Sequence, residues 1–319
     1  MQRIRLFFFL SILMTGILIN PLQAAQTKVL IVYSQIAEPY TSFMWHFHQS
    51  LKYVPDLKFD TINLNNREKI LSRLLDNYHK DQPDIILAIG TIALRAVRYQ
   101  HILDQNIPVL FGMVSDPIGE GVIDSFDKLP QKSISGISFA INIRTRLRDL
   151  RKLLPHAKRI GVIYSTMPQS VSFKKWLDEA AAEDEFQDLD FVYRRIGMLP
   201  YENGPKDMIH MAKRHVIDIQ NQVDVYLSPN DQMGIQPAFS QMIVRETNKP
   251  VFGLSEKDVN VDKGAVAASA PRLSSAGETM AQQLLRLKAG EKIFNIKPEQ
   301  PEYDFLINQA TLDYCLKAQ

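Results

Sequence analysis

The sequence predicts an α/β protein built as two Rossmann-like lobes, with parallel sheets joined by hinge crossovers. Three observations carry this. Short β-branched aliphatic runs alternate with longer amphipathic stretches along nearly the whole chain, the pattern of parallel sheets covered by helices. The aliphatic runs are continuous rather than alternating, as in strands buried on both faces. There are about ten of them in 319 residues, more than one doubly wound sheet usually holds.

The elements follow in order. Lys28–Tyr33 reads as a buried strand, Tyr40–Tyr53 as a helix and Leu57–Asn63 as a second strand. Arg67–His79 carries Ile70, Leu71, Leu74 and Leu75 on one stripe, an amphipathic helix. Asp84–Ile89 is a strand, Thr91–Gln100 a helix, and Ile107–Met113 and Ser133–Ser138 are strands. A second series begins with the helix Thr145–Leu154, stopped by Pro155, which cannot continue it. Strand Arg159–Tyr164, helix Val171–Ala182, strand Leu189–Arg194, helix Asp207–Asn221 and strand Val223–Leu227 come next. Helix Pro237–Thr247, strand Pro250–Gly253, a small-residue strand within Gly264–Ala270 and helix Leu273–Leu287 complete the series. The break between lobes falls near 139–145. The small-residue strand has no partner in sequence order and is expected to return to the first lobe. That assigns 26–140 plus about 255–290 to the N-terminal lobe, and 141–254 plus about 291–319 to the C-terminal lobe.

Ligands of open α/β sheets sit beyond the carboxyl ends of the strands. The residues there are Ser34, Gly90 and Thr91, Ser115 and Asp116, Ser138 and Phe139 in the first lobe. In the second they are Ser165, Asn230 and Asp231, and Ser255. Small hydroxyls dominate, and they offer hydrogen bonds beside exposed helix N-termini. Thr91 follows a strand and a glycine and opens a helix, so backbone N–H groups there can hold a carboxylate. An ordinary helix cap fits the same residue, and Asp116, Asn230 and Asp231 are also good turn formers. Tyr40, Phe43, Phe139 and Tyr164 lie near these ends and can stack on an apolar ligand or simply fill core.

Catalytic signatures are missing. There is no Gly-x-Gly-x-x-Gly, no P-loop and no Gly-x-Ser-x-Gly elbow. His46 with His48, and His210 with His215, have poor helical spacing for one metal. No catalytic residue, metal or cofactor is expected. The only cysteine, Cys315, excludes an intrachain disulfide. Lys and Arg number 37 against 35 Asp and Glu, which gives no basic field for nucleic acid.

Arg3 and Arg5 precede the apolar run Leu6–Ile19, followed by Pro21 and the small residues Ala24 and Ala25. A charged start, a short apolar middle and small residues make 1–25 a cleavable signal peptide. The run is too short for a spanning helix. Its removal takes two arginines and no acid, leaving the remainder neutral. No cysteine lies near the cleavage point to carry a lipid. The expected location is the bacterial periplasm, as a freely diffusing monomer.

The stretches "DIILAIGTIALRAV", "IPVLFGMVSDPIGEGVIDS", "SISGIS", "LLPHAKRIGVIYST", "DVYLSPNDQ", "KPVFGLSEKDVNVDKGAVAA" and "LLRLKAGEKI", in this order over about 27–310, resemble the periplasmic substrate-binding proteins of ABC transporters, in the group that includes tryptophan/tyrosine-type binding proteins. The resemblance implies a type I periplasmic binding fold with ligand between the lobes, and an inner-membrane ABC permease as partner. It places Thr91, Ser115, Asp116, Ser138, Ser165, Asn230 and Asp231 in the cleft. It gives Thr91 a ligand carboxylate if the ligand is an amino acid, and makes Asp231 the second-lobe acidic partner. Phe139 stands where the family often has Asp, and Ser165 where it often has Asn, which points away from an α-amino ligand. The resulting expectation is the solute-binding component of an ABC importer, taking a small molecule such as an amino acid or related carboxylate by hinge closure. The same lobes could serve a ligand-sensing subunit of a membrane signalling protein. An exported α/β hydrolase lacks a nucleophile–base pair.

Overall fold

In a computed structural model the described residues are 26–72, 82–99 and 107–317. The leader, and most of the helix expected over Arg67–His79, lie outside them. The described part of that helix is a short 3-10 turn, Glu68–Ile70, running into helical Leu71 and Ser72.

The first lobe runs β1 (Thr27–Tyr33), α1 (Tyr40–Ser50), β2 (Leu57–Asn63), β3 (Ile85–Ile89), α2 (Thr91–Tyr99), β4 (Val109–Val114) and β5 (Ile134–Ser138). Its sheet is wholly parallel, in the order β2-β1-β3-β4-β5. The uninterrupted aliphatic strands have the expected cause. Val29 and Ile31 of β1 and Ile85 and Leu87 of β3 enter one core cluster. Leu30 and Val32, with Ile86 and Ala88, enter the cluster on the other face. Each strand thus spends alternate residues on opposite helical layers.

The second lobe holds α3 (Ile143–Leu153), β6 (Arg159–Ser165), α4 (Pro168–Ala181), β7 (Asp190–Ile196), α5 (Gly204–Ile219), β8 (Val225–Leu227), α6 (Pro237–Thr247), β9 (Val251–Gly253), α7 (Glu256–Val259) and β10 (Ala267–Pro271). Then come α8 (Leu273–Lys288), β11 (Tyr303–Ile307) and α9 (Gln309–Lys317). The second sheet is ordered β11-β10-β9-β8-β6-β7, with β11 antiparallel and the others parallel.

The small-residue strand corrects one expectation. β10 does not return to the first lobe but pairs β9 inside the second sheet. Its side of the sheet is set by α3, whose Asp149 accepts a 2.8 Å hydrogen bond from Ser269 Oγ. The crossing falls just after it, because α8 leaves for the first lobe and packs on α1. There Gly277 is required. A Cβ at that position would stand 2.8 Å from the Phe43 carbonyl oxygen and 2.9 Å from the Phe47 nitrogen. The two backbones touch, and Phe43, Phe47, Met280 and Leu284 fill the seam. The following segment stays with the first lobe through the Ile137–Glu299 bridge. β11 then goes back. Among the described residues the chain crosses three times: after β5, between β10 and α8, and before β11. All three crossings leave from the β5 edge of one sheet and the β10–β11 edge of the other.

Cys315 is buried in the second core, where burial pushes its thiol up to about 11. That leaves a protonated, unreactive packing residue.

Candidate functional site

The strand ends of both lobes face each other across a gap of about 20 Å³, room for one water. Pro39, Tyr40, Thr91, Met113, Ser115 and Phe139 line it from the first lobe. Gln169, Asn230, Asp231, Gln232 and Ile235 line it from the second.

On the first lobe, Gly90 turns the chain from β3 into α2 with φ +88°. A side chain there would stand 2.5 Å from Ser34 Oγ and 2.8 Å from the Tyr40 hydroxyl. Ser34 supports the same turn, its hydroxyl accepting from the Ala93 N–H at 2.9 Å. The N–H groups of Thr91 and Ile92 have no intrahelical acceptor, since they open the helix. They stand beside Tyr40, whose hydroxyl bonds Gln232 and Ser34 and is pushed up to about 12 by burial.

On the second lobe, Asp231 is buried and its carboxylate is fully engaged. Oδ2 accepts from Ser165 Oγ at 2.8 Å and from Ser170 Oγ. Oδ1 accepts from the N–H groups of Met233 (3.0 Å) and Gly234 (2.8 Å). Burial raises its pKa while these hydrogen bonds hold it down. Ser165 therefore stands behind Asp231 rather than in the gap. Behind Asn230 lies Arg146, wholly buried, from α3. Its Nη1 donates to Asn230 Oδ1 at 2.9 Å, and its Nη2 to the carbonyls of Ser228 (3.1 Å) and Gly253 (3.0 Å). Burial draws the guanidinium down to about 9, so it is still charged at neutral pH. Asn230 Nδ2 and Gln169 Oε1 are buried without partners.

The remaining expected residues face two flanking chambers. Ser115, Asp116 and Ser138 line one of about 310 Å³ against the crossings Ala140–Arg144 and Gln300. Asp116 also closes a turn, accepting from the Gly119 N–H at 2.7 Å. Ser255 lines the other, of about 420 Å³, with Glu38, Lys257 and Arg272. Phe139 divides that chamber from the central gap. Phe43 is core, and Tyr164 packs edge-on against Tyr193.

The lobes also hold each other directly. Asn66 Nδ2 donates to Gln232 Oε1 at 2.7 Å, and Gln232 Nε2 donates back to Asn66 Oδ1 at 3.1 Å. Asn66 also donates to Gln35 Oε1 (3.1 Å), and Gln35 Nε2 reaches the Glu202 carbonyl at 3.0 Å. Lys257 pairs with Glu38 at 2.9 Å. Arg146, Gln169, Gln232, Gln35 and Asn66 were not expected from the sequence. Of these only Arg146 left a signal. It shares the stripe Ile143, Arg146, Leu147, Leu150 that α3 buries, so its helical phase places it inside.

Ser255 caps α7 together with Asp258, whose Oδ2 accepts from the Leu254 N–H (2.7 Å) and whose Oδ1 accepts from Ser255 Oγ (2.7 Å). Burial lifts the Asp258 carboxyl from 3.8 to about 7, against those hydrogen bonds and the charge of Arg146. The folded chain therefore keeps a proton that the unfolded chain loses near pH 3.8. The stabilising share of this group is complete below that pH and disappears as pH rises through about 7. Relative to Asp258→Asn, the parent chain is expected to lose up to about 1.4 kcal/mol per pH unit across that window. Urea unfolding at several pH values checks this, and a pH-independent difference would contradict it.

Three comparisons bear on the site. A family model described as ABC transporter substrate binding protein matches residues 49–314. A tyrosine-binding protein of Clostridioides difficile is 24% identical over 260 residues, covering 81% of this chain and 70% of that one. Among solved structures, a conserved domain protein from Vibrio cholerae superposes with TM-score 0.75 at 18% identity, covering 91% of this chain and 94% of that one. An ABC domain from Streptococcus pneumonia in complex with L-Trp gives 0.74 at 17% identity, with 91% and 95% covered. A solute binding protein from Bacillus halodurans with bound myo-inositol gives 0.62 at 13%, with 92% and 98% covered. At these identities the structures share the fold, that of type I periplasmic binding proteins.

Proposed function

Because the chain belongs to the ABC transporter substrate-binding protein family, we propose that it is the exported solute-binding component of an importer, taking a small molecule between its lobes and presenting the closed form to an inner-membrane permease. One observation carries this reading. Polar strand ends from two lobes converge on a gap where buried hydrogen-bonding atoms of Asn230 and Gln169 lack partners, and the two hydroxyls that Asp231 holds, Ser165 and Ser170, are not among the described residues lining it. Unpartnered buried polar groups are costly, and a ligand satisfies them. The gap is too small for a solute while the lobes touch, so entry requires opening about the three crossings. The ligand then favours a closed form widened enough to hold it, because only there do both lobes reach it.

Residues 1–25 act in this reading as the export signal, and the protein works in the periplasm as a monomer without a cofactor. The first turn of α2 receives a carboxylate at Thr91 and Ile92. The tyrosine-binding relative and the L-Trp complex support a ligand with such a head and an apolar body, for which Tyr40, Met113, Phe139 and Ile235 supply surface. Native mass spectrometry of protein purified from its own host, followed by thermal-shift screening of amino acids, carboxylates, nucleosides, sugars and peptides, tests the reading. A retained or stabilising small molecule is expected, and its absence across the screen counts against a binding protein. The Thr91 hydroxyl adds a side-chain donor to those N–H groups, so Thr91→Ala, which removes the hydroxyl alone, is expected to weaken that ligand by about 0.5–3 kcal/mol with little change in the melting of the free protein. Unchanged affinity would move the site elsewhere.

A further inference from the structure

The strongest donor aimed at the gap is prepared by an arginine that does not reach it. Asp231 is the single carboxylate among the described residues lining the gap. Two hydroxyls and two backbone N–H groups occupy its oxygens, which leaves no lone pair for a ligand ammonium. Arg146 is 0% exposed and gives Nη1 to Asn230 Oδ1. A guanidinium only donates, so the amide oxygen of Asn230 must face it and Nδ2 must face away. Asn230 is 3% exposed and lines the gap, and Nδ2 has no partner. An amide whose oxygen accepts from a cation is a stronger N–H donor. Asn230 Nδ2 is thus a strengthened donor for whatever fills the gap, and the opening turn of α2 adds further donors. Asp231 keeps its own negative charge there, since neutral donors do not cancel it, and that charge reaches the Tyr40 hydroxyl. Gln169 Oε1, on a side chain 5% exposed, is a buried acceptor without a partner, and like the Thr91 and Ser115 hydroxyls that also line the gap it is neutral.

Resting on the reading of this cleft as a ligand site, we infer that it selects a ligand whose head only accepts hydrogen bonds, a carboxylate or similar anion, with a neutral hydroxyl or N–H for Gln169, and that it rejects the same molecule once it carries an ammonium. Asn230 contacts the head, and Arg146 is the positioning residue behind it. An ammonium in the gap would lose its water and gain only neutral acceptors, since the oxygens of Asp231 are already taken, and burying a charge without a direct ionic partner is unfavourable.

Three probes with one ring and different heads test this on the full chain: desaminotyrosine (carboxylate), L-tyrosine (carboxylate and ammonium) and tyramine (ammonium). Calorimetric or fluorescence titration is expected to show desaminotyrosine bound at least about ten-fold more tightly than L-tyrosine, with tyramine unbound. In Asn230→Asp the new carboxylate pairs with Arg146 and faces the gap. Desaminotyrosine is then expected to lose about ten-fold or more, while the two ammonium probes hold or gain. A purely structural role for Asn230 would weaken all three probes alike. L-Tyrosine bound more tightly than desaminotyrosine, or a uniform loss in Asn230→Asp, overturns the inference. If none of the three binds, this ligand class is wrong, while a sugar or nucleoside found in the wider screen leaves the transport reading standing. Should Asn230→Asp fail to fold, the order of the three probes on the parent chain decides.

Discussion

Arg146→Ala is expected to lower the free energy of unfolding by about 3–5 kcal/mol, the range for breaking a buried charged network from one side. The side chain leaves α3 and reaches the ends of β8 and β9, tying a helix to two strands. Its removal strands the carbonyls of Ser228 and Gly253 and the oxygen of Asn230, each at about 1–3 kcal/mol if no water replaces the donor. It also empties the space over the Phe173 ring, 5.2 Å from the guanidinium carbon, and cavities add their own penalty. Against these stands relief, because a buried cation is poorly solvated, as the depressed Arg146 pKa shows. Arg146→Met keeps most of the volume and gains the same relief, so it is expected to destabilise less than alanine. Urea denaturation of the three proteins measures the order. An alanine variant within about 0.5 kcal/mol of the parent would mean that the guanidinium adds nothing net.

Arg146 also marks how far the sequence could be read. Five basic residues between Arg144 and Lys152 make α3 look like a solvated helix, and most of them are. Arg144, Arg148 and Arg151 pair with Glu183, Glu185 and Asp188 on the surface. Only helical phase separates Arg146, one arginine among several, from its neighbours. The aliphatic strands were legible because a parallel sheet buries both their faces, which leaves composition alone as a sufficient signal. The strand-end rule found Thr91, Ser115, Phe139, Asn230 and Asp231 at the gap, because topology fixes where a strand stops. It could not tell that Asp231 spends its oxygens inside its own lobe, since Ser165 and Ser170 approach it only in three dimensions. Nor could it place β10. Ala267 and Ala268 have no face preference strong enough to choose a sheet, and the choice is made by pairing with β9 and β11. The neutral amides of Gln35, Asn66, Gln169 and Gln232 leave no mark in hydropathy or charge, although Gln35, Asn66 and Gln232 do much of the polar contact across the cleft.

Those amides lead to the second large effect, on closure rather than stability. β2 is the sheet edge opposite β5, and β7 the edge opposite β11, so contacts from the ends of β1 and β2 to Gln232 and Glu202 lie on the side away from the crossings. The reciprocal Asn66–Gln232 pair is therefore made only when the lobes meet. In the open form both side chains bond water, and each bond in the closed form contributes about 0.5–1.5 kcal/mol net. Losing two of them by Asn66→Ala with Gln232→Ala is expected to reduce the closed population, and the apparent affinity for any ligand, by about 5- to 150-fold. Unlike Asn230→Asp, the Asn66→Ala part of this loss is blind to ligand chemistry, because Asn66 does not line the gap, as Gln232 does, and acts on the equilibrium that every ligand uses. The single variants are expected to cost nearly as much as the double one. Each breaks both bonds of the reciprocal pair, and the cycle is then non-additive. Small-angle scattering of the ligand-free double variant should show a larger radius of gyration than the parent. Equal radii with parental affinity would mean that the pair follows closure without favouring it, and that the free energy of closing comes from the ligand alone.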